Sequence, residues 1–293
     1  QSGDSSGASD GGFAGTIDFS GVTICGVYTP TGGLFSKVIG DVTIKNLKVT
    51  NSYVKGSENV GAIISRSYKT AATETGSVTV QNCSVTDVYL ESTATTGYYG
   101  VGAIAGHVDN AYSRSEASED LDINGDGDKS DTIYYNGQVN VNNCFVNIDK
   151  DCLIANCTSS NYILKGGLIG KGGTNQCHFT NCIVLGITPY ATQLSTNNND
   201  VQHTGYEDRF SNIYTDSEIT GVDIGGNQTR NHSMHYTGKM TKITASQLKG
   251  ADAKTNCPNL DWNNTWFAVK DGMPVLRAFH NISSVGHTEK CAD

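Results

Sequence analysis

An eight-residue phrase, apolar–x–apolar–x–Asn–(Leu/Cys)–x–Val, occurs four times and constrains the fold more than any other feature of the chain. It reads Val42-Thr43-Ile44-Lys45-Asn46-Leu47-Lys48-Val49 and returns at 78–85, 139–146 and, with Cys177 leading, at 177–184. Before each Asn, apolar residues alternate with polar ones, the period of a strand with one side buried. After it the phase slips by one, to Leu47/Val49, Cys83/Val85, Cys144/Val146 and Cys182/Val184. A strand that slips phase yet keeps its apolar side inward must bend, and Asn accepts the left-handed backbone such a bend needs. Asn46, Asn82, Asn143 and Asn181 are therefore expected to stack at one corner, each amide satisfying the next.

A Gly-rich phrase follows each of three bends: Val60-Gly61-Ala62-Ile63-Ile64, Val101-Gly102-Ala103-Ile104-Ala105-Gly106 and Gly166-Gly167-Leu168-Ile169-Gly170. Between the two phrases lie short strand-like pieces such as Ser52-Tyr53-Val54 and Asp87-Val88-Tyr89-Leu90. Three short strands per repeat point to an all-β chain wound as a right-handed parallel β-helix, a three-sided solenoid with long loop insertions and a small C-terminal cap. An antiparallel sandwich has no need of identical phrases in the same order. The expected division is a flexible tether at 1–12, a β-helix at 13–240 with insertions near 109–136 and 190–209, and a capping segment at 241–293. In that last segment Thr244 and Gln247 have the spacing of a capping box and Gly250 suits a left-handed terminus. Trp262, Trp266, Val275 and Leu276 are expected to cover the open end of the coil.

The opening Thr31-Gly32-Gly33-Leu34-Phe35-Ser36, followed by Val42-Thr43-Ile44-Lys45-Asn46-Leu47, resembles the start of GLUG-type repeats of bacterial surface proteins, which also occur in IgA-specific metalloproteases. The Gly-rich phrases are similar to that family's Gly-rich strand. Phe210-Ser211-Asn212-Ile213-Tyr214, the Leu260 to Trp266 stretch and Met273-Pro274-Val275-Leu276 resemble the segments that close such arrays. The resemblance spans about residues 15–280 and implies a β-helix in an extracellular or cell-surface setting, bacterial in origin. It implies no activity: the protease's His-Glu-x-x-His motif has no counterpart in this chain.

Composition narrows the function classes. Net charge is −9, with 20 Lys and Arg that form no basic run, which argues against nucleic acid as a partner. No apolar run approaches the length of a membrane span, so direct membrane insertion is not expected. Nine cysteines would ordinarily suggest disulfides in a secreted protein. Cys83, Cys144 and Cys182, however, take the place of Leu47, and Cys177 that of Val78, which is the use of Cys as a small buried hydrophobe. Cys152 and Cys157 repeat the corner pattern and are expected to point inward too. Cys257 and Cys291, beyond the repeats, are the two that look free to pair.

The strongest chemical motif lies in the first insertion. Asp122, Asn124 and Asp126 place oxygen ligands at alternate positions before Gly127, as in an EF-hand-like calcium loop, with Asp128 supplying a backbone carbonyl. The closing position holds Ile133 where Glu is the rule, and Asp131 is the substitute from two residues earlier. A bound calcium would be structural. No nucleophile elbow or phosphate loop is present. Acid–base groupings such as Asp109 with His107, or Asp216 with Glu218 and Asp223, read as ordinary surface residues, so no catalytic residue is assigned. The insertions carry the candidate ligand-binding residues Tyr112, Tyr134, Tyr135, His203 and Tyr206, since Tyr faces beside amides and carboxylates suit polyhydroxylated ligands. The expected function is a noncatalytic adhesion module that binds a glycan or a protein on another surface. A polysaccharide lyase or hydrolase on the same coil, or a structural stalk, are the alternatives.

Overall fold

The structure, a computed structural model, describes residues 15–39, 41–68, 77–95, 98–108, 115–117, 132–134, 139–155, 162–172, 177–187, 190–192, 210–216 and 240–280. The described chain is all-β with almost no helix. A five-residue α-helix, Asp252–Asn256, and 3-10 turns at Lys150–Cys152, Ser246–Leu248 and Arg277–Phe279 are its helical parts.

The repeated phrase does what its alternation requires. Val42, Val78, Val139 and Cys177 stand opposite one another in parallel register, as do Ile44, Val80, Val141 and, after it, Phe179. All eight side chains are buried. Asn46, Asn82, Asn143 and Asn181 have φ of 58, 53, 51 and 56°, the left-handed bend that resets the phase. A fifth, Asn212, joins them at φ 55°. The amide ladder is made at its two ends. Asn46 Nδ2 donates to Asp18 (2.8 Å), Asn82 Nδ2 to Asn46 Oδ1 (3.3 Å) and Asn212 Nδ2 to Asn181 Oδ1 (2.8 Å). In the middle, the buried Oδ1 atoms of Asn82 and Asn143 lack a partner.

The open three-sided solenoid is corrected by the strand pairing. The main, eleven-stranded sheet closes on itself as a six-stranded parallel barrel with extra strands. Its ring runs Val42–Gly56, Val78–Gln81, Val139–Asn142, Cys177–Leu185, Phe145–Asn147, Ser84–Ser92 and back to Val42–Gly56. Closure has a local cause. The two inner repeats break at Asn82 and Asn143, whereas Val42–Gly56 and Cys177–Leu185 run unbroken through Asn46 and Asn181. Each of these long strands therefore pairs on both sides of its bend and joins the two walls into one ring. Strands Gly15–Cys25, Tyr28–Thr29, Leu153–Ala155, Phe210–Thr215 and Met240–Lys242 extend it.

Two smaller sheets complete the core. One has five strands, in the order Tyr190–Thr192, Ile169–Gly172, Ala105–Val108, Ile64–Tyr68, Phe35–Ile39; the other has three, Tyr162–Gly166, Tyr98–Gly102, Val60–Gly61. They approach backbone to backbone, which explains the Gly-rich phrase: a Cβ on Gly170 would lie 2.2 Å from the Val101 nitrogen. The thiol column is as its position implies. Leu47, Cys83, Cys144 and Cys182 are fully buried, the three cysteines are unpaired, and each thiol bonds a carbonyl two residues back at 3.3–3.4 Å.

Other cysteines depart from expectation. Cys25 is held in a disulfide, while Cys257 is buried and unpaired, its thiol pushed up to about 12 by burial. Cys152 lies in a 3-10 turn and is only half-buried, so it does not extend the inward column. Cys157 and Cys291 lie outside the described residues, as does the 1–12 tether.

The C-terminal segment packs on a wall of the sheet. Phe145, Ile183 and Tyr214 form one register row whose chain neighbours Cys144, Cys182 and Ile213 point into the core, so the row faces outward. It is covered by Ile243, Leu248, Cys257, Leu260, Trp266 and Leu276, which form a second hydrophobic cluster with it. Thr244 and Gln247 make the reciprocal capping bonds at 2.8 and 3.4 Å, and Gly250 is left-handed at φ 59°. Farther on, Ala278 reaches the first strand: a Cβ on Gly21 (φ 82°) would meet its carbonyl oxygen at 2.0 Å.

Candidate binding face

The main sheet has a second corner, built like the Asn corner from left-handed residues in register. Gly26, Asn51 and Asp87 have φ of 68, 44 and 52°. The Gly26 N–H donates to the Asn51 carbonyl at 3.0 Å. Two residues beyond each stands a tyrosine: Tyr28, Tyr53 and Tyr89. Tyr28 is opposite Tyr53, and Tyr53 opposite Tyr89. Their orientation follows from strand alternation, because Ser52, Val54, Val88 and Leu90 on either side are buried. The tyrosines must then face out. Tyr28 is 62% exposed and Tyr89 54%, against a wall whose inward positions are closed to solvent.

The row is fixed from beneath. Ser52 Oγ donates to the Thr50 carbonyl (2.7 Å) and accepts from the Val27 N–H (3.3 Å), while the Tyr53 N–H donates to the Val27 carbonyl at 2.8 Å. The rings of Tyr28 and Tyr53 lie 5.4 Å apart at 51°. The Tyr53 hydroxyl donates to Glu91, whose other oxygen pairs with Lys55 at 3.0 Å. At the far end, burial pushes the Cys152 thiol up, a hydrogen bond with Tyr89 pulls it back, and Asp149, Asp151 and Asp87 add to the rise. The row is thus flanked by carboxylates along its strands: Glu91, which accepts from Tyr53, on one side, and Asp87, two residues before Tyr89, on the other. Aromatic rings beside hydrogen-bond acceptors form a surface for an uncharged, hydroxyl-rich ligand, and the carboxylates disfavour an anionic one.

The residues read as candidates from sequence lie elsewhere. Asp122, Asn124, Asp126, Asp128 and Asp131 of the calcium loop, and Tyr112, Tyr135, His203 and Tyr206, fall outside the described residues. Tyr134 ends the strand Thr132–Tyr134, which pairs antiparallel with Ser115–Ala117 and sets Tyr134 opposite Ser115. Among the described residues no group of three His, Cys, Asp or Glu side chains is placed to hold a metal, and no helix is long and apolar enough to cross a membrane. Of the acid–base groupings, His107 is no surface residue, being 7% exposed within its sheet. Asp216 accepts the Gly186 N–H at 2.8 Å, and Asp109, Glu218 and Asp223 lie outside the described residues.

Sequence reasoning missed the tyrosine row although a signal existed. Tyr53 and Tyr89 are separated by the same 36 residues as Asn46 and Asn82, as are Asn51 and Asp87. Positions that share the repeat interval share a register. No protein-family model, curated protein or solved structure matches this chain.

Proposed function

We propose that this chain is a noncatalytic binding module of an extracellular or cell-surface protein, and that it takes an uncharged glycan on the row Tyr28–Tyr53–Tyr89. The observation that carries the reading is that row: three aromatic side chains in register on the outer wall of a rigid sheet, two of them more than half exposed, bordered by carboxylate acceptors. Sugars present an apolar C–H face to an aromatic ring and hydroxyls to its surroundings, so ring contact supplies affinity and acceptors supply orientation. The similarity of the repeated phrases to GLUG-type repeats supports a bacterial cell-surface setting. In the same reading the loop around Asp122, Asn124, Asp126, Asp128 and Asp131 holds a structural calcium that supports the insertion and takes no part in the ligand face.

The test is a glycan-array screen followed by titration of the strongest neutral oligosaccharide, with and without calcium, beside a reducing-end assay on the same sugars. Tyr28→Ala/Tyr89→Ala is expected to weaken binding by about 2 kcal/mol or more, as loss of central aromatic anchors does elsewhere, with an unchanged unfolding midpoint. Retained affinity in that variant places the ligand elsewhere. New reducing ends replace the binding module with an enzyme. Equal calcium heats from wild type and Asp126→Ala remove calcium from the reading.

A further inference from the structure

The spacing and openness of the tyrosine row set the shape of the chain it can take. Its two open rings, Tyr28 and Tyr89, are not neighbours. Tyr53 stands between them, opposite each in turn, so they lie two strand spacings apart, about 10 Å. The middle ring differs from both. It is half-buried, its plane is 51° from that of Tyr28, and its hydroxyl is committed to Glu91. The wall therefore presents two open ring faces in one line, with a turned and less open ring between them.

Polar groups run along both edges of that line. Asn51 and Asp87, two residues before Tyr53 and Tyr89, are exposed; Lys55 and Glu91, two residues after them, are half-buried and paired at 3.0 Å. All four share the tyrosines' side of the wall, because Ser52, Val54, Val88 and Leu90 between them are buried. The pairing of Ser52 to Gly56 with Val88 to Ser92 is unbroken, so rings and flanks are held in fixed register.

We propose that the row selects a linear β-1,4-linked glycan with equatorial hydroxyls, at least three sugars long and lying across the strands. This rests on the function proposed above, a neutral glycan on the tyrosine row, and adds its linkage, direction and length. Such a chain is extended, with C–H faces above and below and hydroxyls along both edges. Each sugar is turned over relative to the last and advances about 5 Å, one strand spacing, so the same face returns at every second sugar. The first and third sugars then rest on Tyr28 and Tyr89. The second crosses Tyr53, with hydroxyls directed to Asn51 and Asp87 on one edge and to Glu91 on the other. An α-1,4-linked chain advances less per sugar and curls, so it covers one open ring at a time.

The experiment titrates the full chain with cellohexaose and chitohexaose, with maltohexaose and laminarihexaose as comparisons, and then with the dimer and trimer of the stronger β-1,4 series. A β-1,4 hexamer is expected to bind about tenfold or more tighter than maltohexaose, and the trimer about tenfold or more tighter than the dimer. Tyr89→Ala, with an unchanged unfolding midpoint, should bring the trimer down to the affinity of the dimer. The linkage proposal alone is overturned if binding is lost in Tyr28→Ala/Tyr89→Ala but maltohexaose or laminarihexaose binds as tightly as both β-1,4 hexamers. It is equally overturned if dimer and trimer bind alike. If no neutral glycan binds, or if binding survives in the double variant, the function proposed above fails and this inference fails with it.

Discussion

Asn143 shows how much one residue does in this chain. Its φ of 51° resets the phase so that Val141 before it and Cys144 after it both point into the core. A side chain without a local hydrogen-bonding group costs about 1–2 kcal/mol in that conformation. Asn143→Ala is expected to lose about that much in urea unfolding, and Asn143→Gly to lose less, because glycine adopts the left-handed region freely. Equal losses in the two variants would mean that the amide, and not the backbone, matters at this corner. His107 supplies a pH dependence. Its folded-state pKa lies well below the ordinary value of about 6.5, so the native imidazole stays neutral while the unfolded one takes up a proton. Stability is therefore highest above that ordinary value and falls as the pH drops toward the folded-state pKa, by up to about 1.4 kcal/mol per pH unit. His107→Gln is expected to flatten this acid slope; an unchanged slope would assign it to another group.

The C-terminal segment behaves as an element that covers a wall. Trp266 is fully buried against the outward row Phe145, Ile183 and Tyr214. Trp262 Nε1 donates to the Cys257 carbonyl (2.9 Å), and Arg277 donates to the Trp262 carbonyl (2.8 Å) while lying 5.3 Å from the Phe267 ring centre. These contacts hold the segment together, and its apolar underside holds it to the sheet. Trp266→Ala is expected to cost about 3–5 kcal/mol, the range for removing a large buried aromatic. Deleting residues 257–293 is expected to increase binding of a hydrophobic dye and lower solubility, since Phe145, Ile183, Leu185 and Tyr214 lose cover. A soluble, non-dye-binding truncation would mean the wall is protected by something else.

For the whole molecule, the cysteines combine two kinds of covalent state in one fold. Cys25 is disulfide-bonded, whereas Cys83, Cys144, Cys152, Cys177, Cys182 and Cys257 are thiols outside any disulfide. Burial pushes the Cys144 thiol well above its ordinary range, and the neighbouring Cys182 and Cys83 push it further. A thiolate is the reactive form, so Cys144 is inert in the native state, and burial closes Cys83 and Cys182 to reagents. Thiol counting on unfolded, unreduced protein is expected to find at least these six, and on native protein only the half-buried Cys152 among them should react promptly. Fewer than six in the unfolded protein would show that buried positions have been oxidised.

The corner asparagines, the inward alternation, the cysteine column and the Thr244–Gln247 capping pair were all legible in the sequence. Each is a local matter: a phase slip demands a bend, a bend demands a tolerant residue, and a position that alternates inward must be small and apolar. Three things only the tertiary structure decided. Val42–Gly56 and Cys177–Leu185 run through their bends and close the main sheet into a ring, because whether a ladder continues past a bend depends on the partner strand. Trp266 and its neighbours cover a wall, because the outward row of Phe145, Ile183 and Tyr214 exists only once three strands are in register. Tyr28, Tyr53 and Tyr89 become a surface for the same reason. A row across a sheet is made of residues far apart in the chain, and only strand register brings them to one line.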